Sequence, residues 1–324
     1  MQALVCERYG SPESLRIREL DDPDPGKLDV VVDVAAAGVN FPDILTIAGK
    51  YQVKTKPPFV PGNEAAGVVA RVGADVSKFR PGDSVLINSS GGAFASKCMT
   101  REDRVSRIPE GLNFEHAAGF GVTYGTSYHA LAQGARLQPG ETVLVLGAAG
   151  GVGSAAVEIA KAMGAHVIAA ASSSSKLEFA RQAGADELIN YAEQPLKESI
   201  KELTKGKGVD VVYDPVGGDL ADQALRATAW HGRYLVVGFA SGEIPALAAN
   251  LVLLKEASII GVWWGPWAER NPQLQAQNMA ELGDLYTAGK LSPRVTESFA
   301  YQDFAKAFAT IADRRVLGKV VMRF

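Results

Sequence analysis

Cysteine is nearly absent: the 324 residues hold only Cys6 and Cys98, too few for a disulfide framework. Histidine is equally sparse. His116, His129, His166 and His231 share no metal-ligand spacing, and a structural zinc needs four close ligands, so no metal is expected. No apolar run approaches the roughly 18 residues of a membrane helix. The opening MQALVCERYG carries no apolar signal region. No Lys/Arg run interleaves with aromatics and the net charge is −3, which makes nucleic acid a poor partner. The expectation is a cytoplasmic protein that acts on a small molecule and contacts no membrane.

Hydrophobic residues make up 47% of the chain and charged residues 21%, enough for a substantial core and against global disorder. The length suits one large or two medium domains. Up to about residue 110 the pattern is β-rich. Strand candidates are Val30 to Ala36, Ala65 to Val72 and Ser84 to Ile87, punctuated by Pro57-Pro58, Pro61-Gly62 and Pro81-Gly82. A short helical pattern lies near Asp43 to Ile47. From residue 114 the character changes. Phe114 to Leu131 reads as two helices, and strands at 143–146, 166–171, 187–190, 209–213 and 233–237 then alternate with helices. That alternation implies a parallel, doubly wound sheet. Ala257 to Trp264 is a sixth strand candidate. The tail from Gln275 holds two amphipathic helices and a last strand, Gly318 to Phe324.

The densest signal is VLVLGAAGGVGSAAVEIAKAMG, Val143 to Gly164. A strand, a glycine turn and a helix follow one another, the opening of a dinucleotide-binding βαβ unit. Ala148, Gly150, Gly151, Val152 and Gly153 would lie against a pyrophosphate, which the free N–H groups of the helix start attract. Aligned on Gly150 and Gly153, the first glycine of G-x-G-x-x-G is replaced by Ala148. The next strand, His166 to Ala171, ends in Ser172-Ser173-Ser174-Ser175-Lys176, with no acid before Glu178. A carboxylate there would bind a ribose 2′-hydroxyl and repel a 2′-phosphate. Hydroxyls plus one ammonium suit the phosphate, so the expected cofactor is NADP(H). The serines also suit the cap of a helix beginning near Lys176.

Ordered fragments along nearly the whole chain resemble the zinc-independent quinone oxidoreductase branch of the medium-chain dehydrogenase/reductase superfamily. They are Ala37-Gly38-Val39-Asn40-Phe41-Pro42-Asp43, Gly49-Lys50-Tyr51, Pro58-Phe59-Val60-Pro61-Gly62-Asn63-Glu64-Ala65-Ala66-Gly67, Pro81-Gly82-Asp83, Ala148 to Gly153, Asn190-Tyr191 and Asp214-Pro215-Val216-Gly217-Gly218. The resemblance implies an α/β protein. Its GroES-like β-rich catalytic domain would span 1–121, completed by 265–324, with a Rossmann doubly wound parallel-sheet domain inserted at 122–264. Ala148 is typical of this branch. The zinc ligands of the superfamily's alcohol dehydrogenases are missing: Asn63 stands where they carry histidine.

By the same resemblance, hydride passes from the nicotinamide to a quinone or an activated alkene. Asn40 orients substrate or ribose, Tyr51 donates a proton or lines the pocket, and Asp43 either assists or starts a helix. Lys176 and Tyr191 match positions at the 2′-phosphate and adenine, assisted by Ser172 and Ser173. Gly238 and Phe239 end a central strand where this fold places the nicotinamide, and Lys319 matches a turn near the cofactor. Two other readings stay open. Lys50, Lys54 and Lys56 around Tyr51 suit the phosphates of an enoyl-CoA such as acrylyl-CoA, or form a solvated loop. Some relatives act as non-catalytic, crystallin-like or RNA-binding proteins. The apolar stretch 257–264, near the sheet edge, implies a homodimer as in relatives.

Overall fold

The computed structural model describes residues 1–324. The chain divides into two compact units, Met1–Val122 with Pro293–Phe324, and Thr123–Ser292. In chain order it begins with β1 (Gln2–Val5), β2 (Arg16–Glu19), β3 (Asp29–Val39), α1 (Phe41–Ile47), β4 (Glu64–Val72), β5 (Ser84–Asn88), β6 (Lys97–Arg101), β7 (Val105–Arg107), α2 (Phe114–Ala118) and α3 (Gly121–Tyr128). A π-helical stretch, His129–Ala135, follows. Then come β8 (Thr142–Leu146), α4 (Gly151–Ala162), β9 (His166–Ala171), α5 (Ser174–Gln182), β10 (Glu187–Asn190), α6 (Leu196–Leu203), β11 (Val209–Asp214), α7 (Asp219–Arg226), β12 (Thr228–Val236), α8 (Ala249–Lys255), β13 (Ser258–Gly261), α9 (Trp264–Arg270) and α10 (Pro272–Thr287). The tail forms β14 (Val295–Ala300), α11 (Phe304–Ala312) and β15 (Lys319–Arg323).

The first unit is built on a sheet ordered β14-β15-β3-β4-β5-β7, with β6 also paired to β3. Val30, Val32 and Val34 of β3 face a core that includes Phe94 and Phe308, and Val31 and Ala36 of the same strand are buried as well, so most of this central strand is covered on both faces. Two registers set the site. Val320 of β15 lies opposite Val39, which brings Lys319 beside Asn40. Ala65 of β4 lies opposite Ala37, which brings Glu64 beside Gly38.

The second unit is a six-stranded parallel sheet ordered β10-β9-β8-β11-β12-β13. Val143, Leu144, Val145 and Leu146 of β8 are all fully buried, as a parallel strand covered on both faces requires. The strand order reverses between β8 and β11. In open α/β sheets ligands bind at such a switch point, beyond the carboxyl ends of the strands.

The structure moves one expected boundary. Residues 265–292 belong with the parallel-sheet unit, not with the β-rich one. The reason is a set of local partners. The Trp264 indole N–H donates to Gln275 Oε1 at 3.0 Å, and Gln133 Nε2 donates to Asn278 Oδ1 at 3.1 Å. Trp267 stacks on His129 with ring centroids 4.0 Å apart. The sixth strand is also shorter than expected. It ends at Gly261, and Trp264 instead turns inward to open α9.

Asn40 caps α1, and Asp43 sits at its third position. Asp43 Oδ2 accepts the Asn40 backbone N–H at 2.8 Å, and Oδ1 accepts from Asn63 Nδ2 at 2.8 Å. Such a carboxylate satisfies the helix start from within. Asp43 has no exposed surface, so of its two expected roles the structure favours the helix start over contact with a substrate. Burial pushes its carboxyl up to about 7. The nearby Glu64 charge adds to the rise, while the Asn40 N–H, Lys319 and Asn63 oppose it. In the unfolded chain an aspartate loses its proton near pH 4. Between about pH 4 and about 7 the folded state therefore holds the extra proton, and stability falls as pH rises through that window. Asp43→Asn keeps the shape without the charge. Its urea midpoint, compared with wild type from pH 4.5 to 8, is expected to decline less steeply; equal slopes would refute the buried-carboxyl account.

Candidate active site

One group of the expected site residues lies in the second unit. Gly147 adopts φ +59°, a left-handed turn that glycine tolerates best. A Cβ on Gly153 would stand 2.2 Å from Gly147 O, so packing alone demands glycine there. Gly150 differs. A Cβ there would meet nothing closer than Gly147 O at 3.5 Å, an ordinary contact, so the protein leaves space at this glycine. Gly150 caps α4, and Gly151 and Val152 form its first turn, with donors not yet used by the helix. Ala148 is fully buried, its N–H given to Ala170 O at 3.2 Å.

Residues away from the fingerprint hold this turn. Ser127 Oγ donates to Val152 O at 2.9 Å and meets the Tyr213 hydroxyl at 2.9 Å. Beyond β11, Asp214 Oδ1 accepts the N–H groups of Val216 and Gly217 at 2.8 and 2.9 Å, and Oδ2 accepts from the Tyr234 hydroxyl at 2.5 Å. Burial raises the Asp214 carboxyl, and these three donors oppose the rise. Val216 in turn lies against Gly147, where a Cβ would be 2.9 Å from its Cγ2. The two loops at the switch point thus brace each other. Sequence reasoning quoted Asp214 only as a fragment of resemblance. A buried acid at the very end of β11, just before Pro-Val-Gly-Gly, was the available signal.

The serine run caps a helix, as expected of it. Ser173 caps α5, which starts at Ser174, and accepts the Lys176 backbone N–H. The Lys176 ammonium lies 3.3 Å from Ser172 Oγ. Ser172, Ser173 and Lys176 are half-buried, and no carboxylate closes β9. Tyr191, at the end of β10, gives its N–H to Ala171 O at 3.1 Å and packs on the core beside β9. Gly238 follows β12 and gives its N–H to Asp214 O at 3.3 Å, and Phe239 is half-buried against Gly217. Ala148 to Gly153, Ser172, Ser173, Lys176, Tyr191, Gly238 and Phe239 therefore all lie at the carboxyl ends of the parallel strands.

Asn40, Asp43 and Lys319 belong to a second, buried group in the β-rich unit. The Lys319 ammonium donates to Val39 O at 3.0 Å, Asn40 Oδ1 at 2.6 Å and Glu64 Oε1 at 2.6 Å. All three of its N–H bonds are used, and the residue is 6% exposed. The expectation of a direct cofactor contact is therefore corrected: the strand register draws Lys319 into the interior. Glu64, which the sequence offered only as part of a fragment of resemblance, also accepts from Asn40 Nδ2 at 2.8 Å and from the Val122 N–H at 2.8 Å. Tyr51 lies apart, half-buried after α1, its backbone N–H given to Leu45 O at 3.1 Å. Lys50, Lys54 and Lys56 are exposed around it, and Lys54 donates to Gly49 O.

Family models match on both sides of the fingerprint: an alcohol dehydrogenase GroES-like domain over residues 26–153, and a zinc-binding dehydrogenase over residues 151–281. The buried group of the β-rich unit does not suit a zinc ion. The group around Glu64 offers amides and an ammonium rather than thiolates and imidazoles, and the ammonium already occupies the carboxylate. A quinone oxidoreductase-like protein 2 homolog of Nematostella vectensis is 40% identical over 99% of this chain and 88% of its own length. The quinone oxidoreductase of Homo sapiens is 34% identical over 96% and 94%. The crystal structure of Escherichia coli quinone oxidoreductase complexed with NADPH covers both chains fully at a TM-score of 0.94 and 29% identity. The chain is a member of the quinone oxidoreductase branch of the medium-chain dehydrogenase/reductase superfamily.

Proposed function

We propose that the protein is an NADPH-dependent reductase of quinones or activated alkenes that works without zinc, in the cytoplasm. The observation that carries this reading is the end of β9, where Ser172, Ser173 and Lys176 stand in place of an acid. Bound NADPH supplies a hydride to the substrate. The backbone from Ala148 to Gly153 holds the pyrophosphate at the start of α4. Ser172, Ser173 and Lys176 hold the 2′-phosphate, Tyr191 flanks the adenine, and Gly238 and Phe239 support the nicotinamide. Asn40 orients the bound ligand. The Tyr51 phenol donates to the substrate oxygen as negative charge develops there, which stabilises the transition state more than the ground state. A carboxylate already paired with an ammonium supports the zinc-free step.

A second copy of the chain is proposed to pair along β13. That strand is the edge of the parallel sheet, with Ile259, Trp263 and the nearby Trp230 exposed, and an unpaired apolar edge invites another strand.

Two outcomes follow. NADPH oxidation, assayed against quinones, simple enones and short enoyl-CoA esters, is expected to be fastest with a quinone and slower with NADH. Lys176→Ala should raise the KM for NADPH about tenfold or more, the worth of a hydrogen bond to a charged group, and leave that for NADH nearly unchanged. Faster turnover of an acrylyl thioester would favour the enoyl-CoA reading, and an equal effect on both cofactors would refute the 2′-phosphate contact. Light scattering at micromolar concentration should report twice the 34.2 kDa of one chain, and Ile259→Lys should shift it to monomer. A monomeric wild type would remove the edge-strand dimer.

A further inference from the structure

We infer that the Glu64–Lys319 ion pair is a positioning device: it locks the Asn40 amide so that this side chain presents an acceptor, and no donor, to the bound ligand. An ammonium carries only donors, so the Asn40 atom 2.6 Å from Lys319 Nζ is the oxygen. A carboxylate carries only acceptors, so the atom 2.8 Å from Glu64 Oε1 is the nitrogen. Turning the amide over would set its NH₂ against the ammonium and its oxygen against the carboxylate. Two opposite charges thus select one orientation. The second N–H of the amide faces Gly38 O at 3.4 Å. What remains open on Asn40 is a lone pair on Oδ1.

The surroundings are shaped to admit this pair. A Cβ on Gly38 would stand 2.5 Å from Glu64 Oε1, and one on Gly119 would stand 2.5 Å from Lys319 Cγ. Glu64 is 1% exposed and Asn40 8%, so no surface water competes freely for these bonds. The remaining Glu64 oxygen accepts the Val122 N–H and the third Lys319 N–H goes to Val39 O, which leaves both charges fully bonded.

The consequence is chemical. Asn40 accepts a hydrogen bond from a hydroxyl of its ligand, either the ribose of the cofactor or a hydroxyl of the substrate. It does not donate to the oxygen that gains charge during reduction, and that task falls to another donor such as Tyr51. The inference rests on the proposed reading of Asn40 as a ligand-contacting residue.

The test is a double-mutant cycle on the full chain with Asn40→Ala, Lys319→Met and the pair together. NADPH affinity is read by nicotinamide fluorescence, and kcat and KM are read with 1,4-benzoquinone. Each single variant should weaken one binding constant about tenfold, and the double variant should be no worse than the poorer single. A change in NADPH affinity identifies the ribose as partner, and a change in quinone KM the substrate. Glu64→Gln serves if Lys319→Met does not fold. A glutamine removes one of the two charges that select the orientation, so it loosens the amide and should cost several-fold in the same constant, but nothing further in the Asn40→Ala background. Losses that add in the double variants would overturn the positioning role alone. Asn40→Ala with both binding constants unaltered would overturn the reading of Asn40 itself, and the inference with it.

Discussion

A buried ion pair governs the β-rich unit. Lys319 and Asn40 are separated by 279 residues in the chain, yet the ammonium, the amide and the Glu64 carboxylate meet in one bonded group. Removing one partner of a buried pair strands the other charge, at a cost of about 3–5 kcal/mol. That asymmetry makes the C-terminal strand obligatory: β15 must lie in the register that sets Val320 opposite Val39, because a slip of one residue would turn Lys319 to the other face. The pair thereby fixes which ends of the chain form one unit and how the residues after β3 are presented.

The parallel-sheet unit depends on backbone rather than on charge. Its turn after β8 is held by Ser127 on Val152 O, and the loop after β11 by Asp214. The two loops touch through Gly147 and Val216. Glycine is needed at 153 for packing, whereas at 150 the protein itself leaves room for a side chain. A turn that reserves space no residue fills is suited to a ligand approaching the backbone closely. The side chains at the end of β9 then select among nucleotides.

Much of the second unit was legible because its signals are local. The run Val143 to Leu146, the glycine turn and the helical spacing after it need no distant partner to be understood, and β8, β9 and β10 fall within a residue of their expected bounds. β12 was expected to start at 233 but begins at Thr228. The register shifts between Val209 and Val211, and His231 takes φ +57°, so the period-2 pattern is broken at a bulge. The first unit's tail was harder. β14 alternates weakly and is nowhere fully buried, so it carries little apolar pattern. The placement of 265–292 turned on Trp264, Trp267 and Asn278 finding partners around 129–133 and within α10, contacts that no local period encodes.

The sequence by itself determined the elements of the nucleotide fold, the glycine turn and the serine–lysine end of β9, because each depends on neighbours a few residues away. Only the tertiary structure decided that Asp43 is sealed within the first turn of α1, that Lys319 faces inward to Glu64, and which way round the Asn40 amide sits. Those outcomes depend on strand register and on the exclusion of water from a charged group. Both arise only when residues from the two ends of the chain pack together.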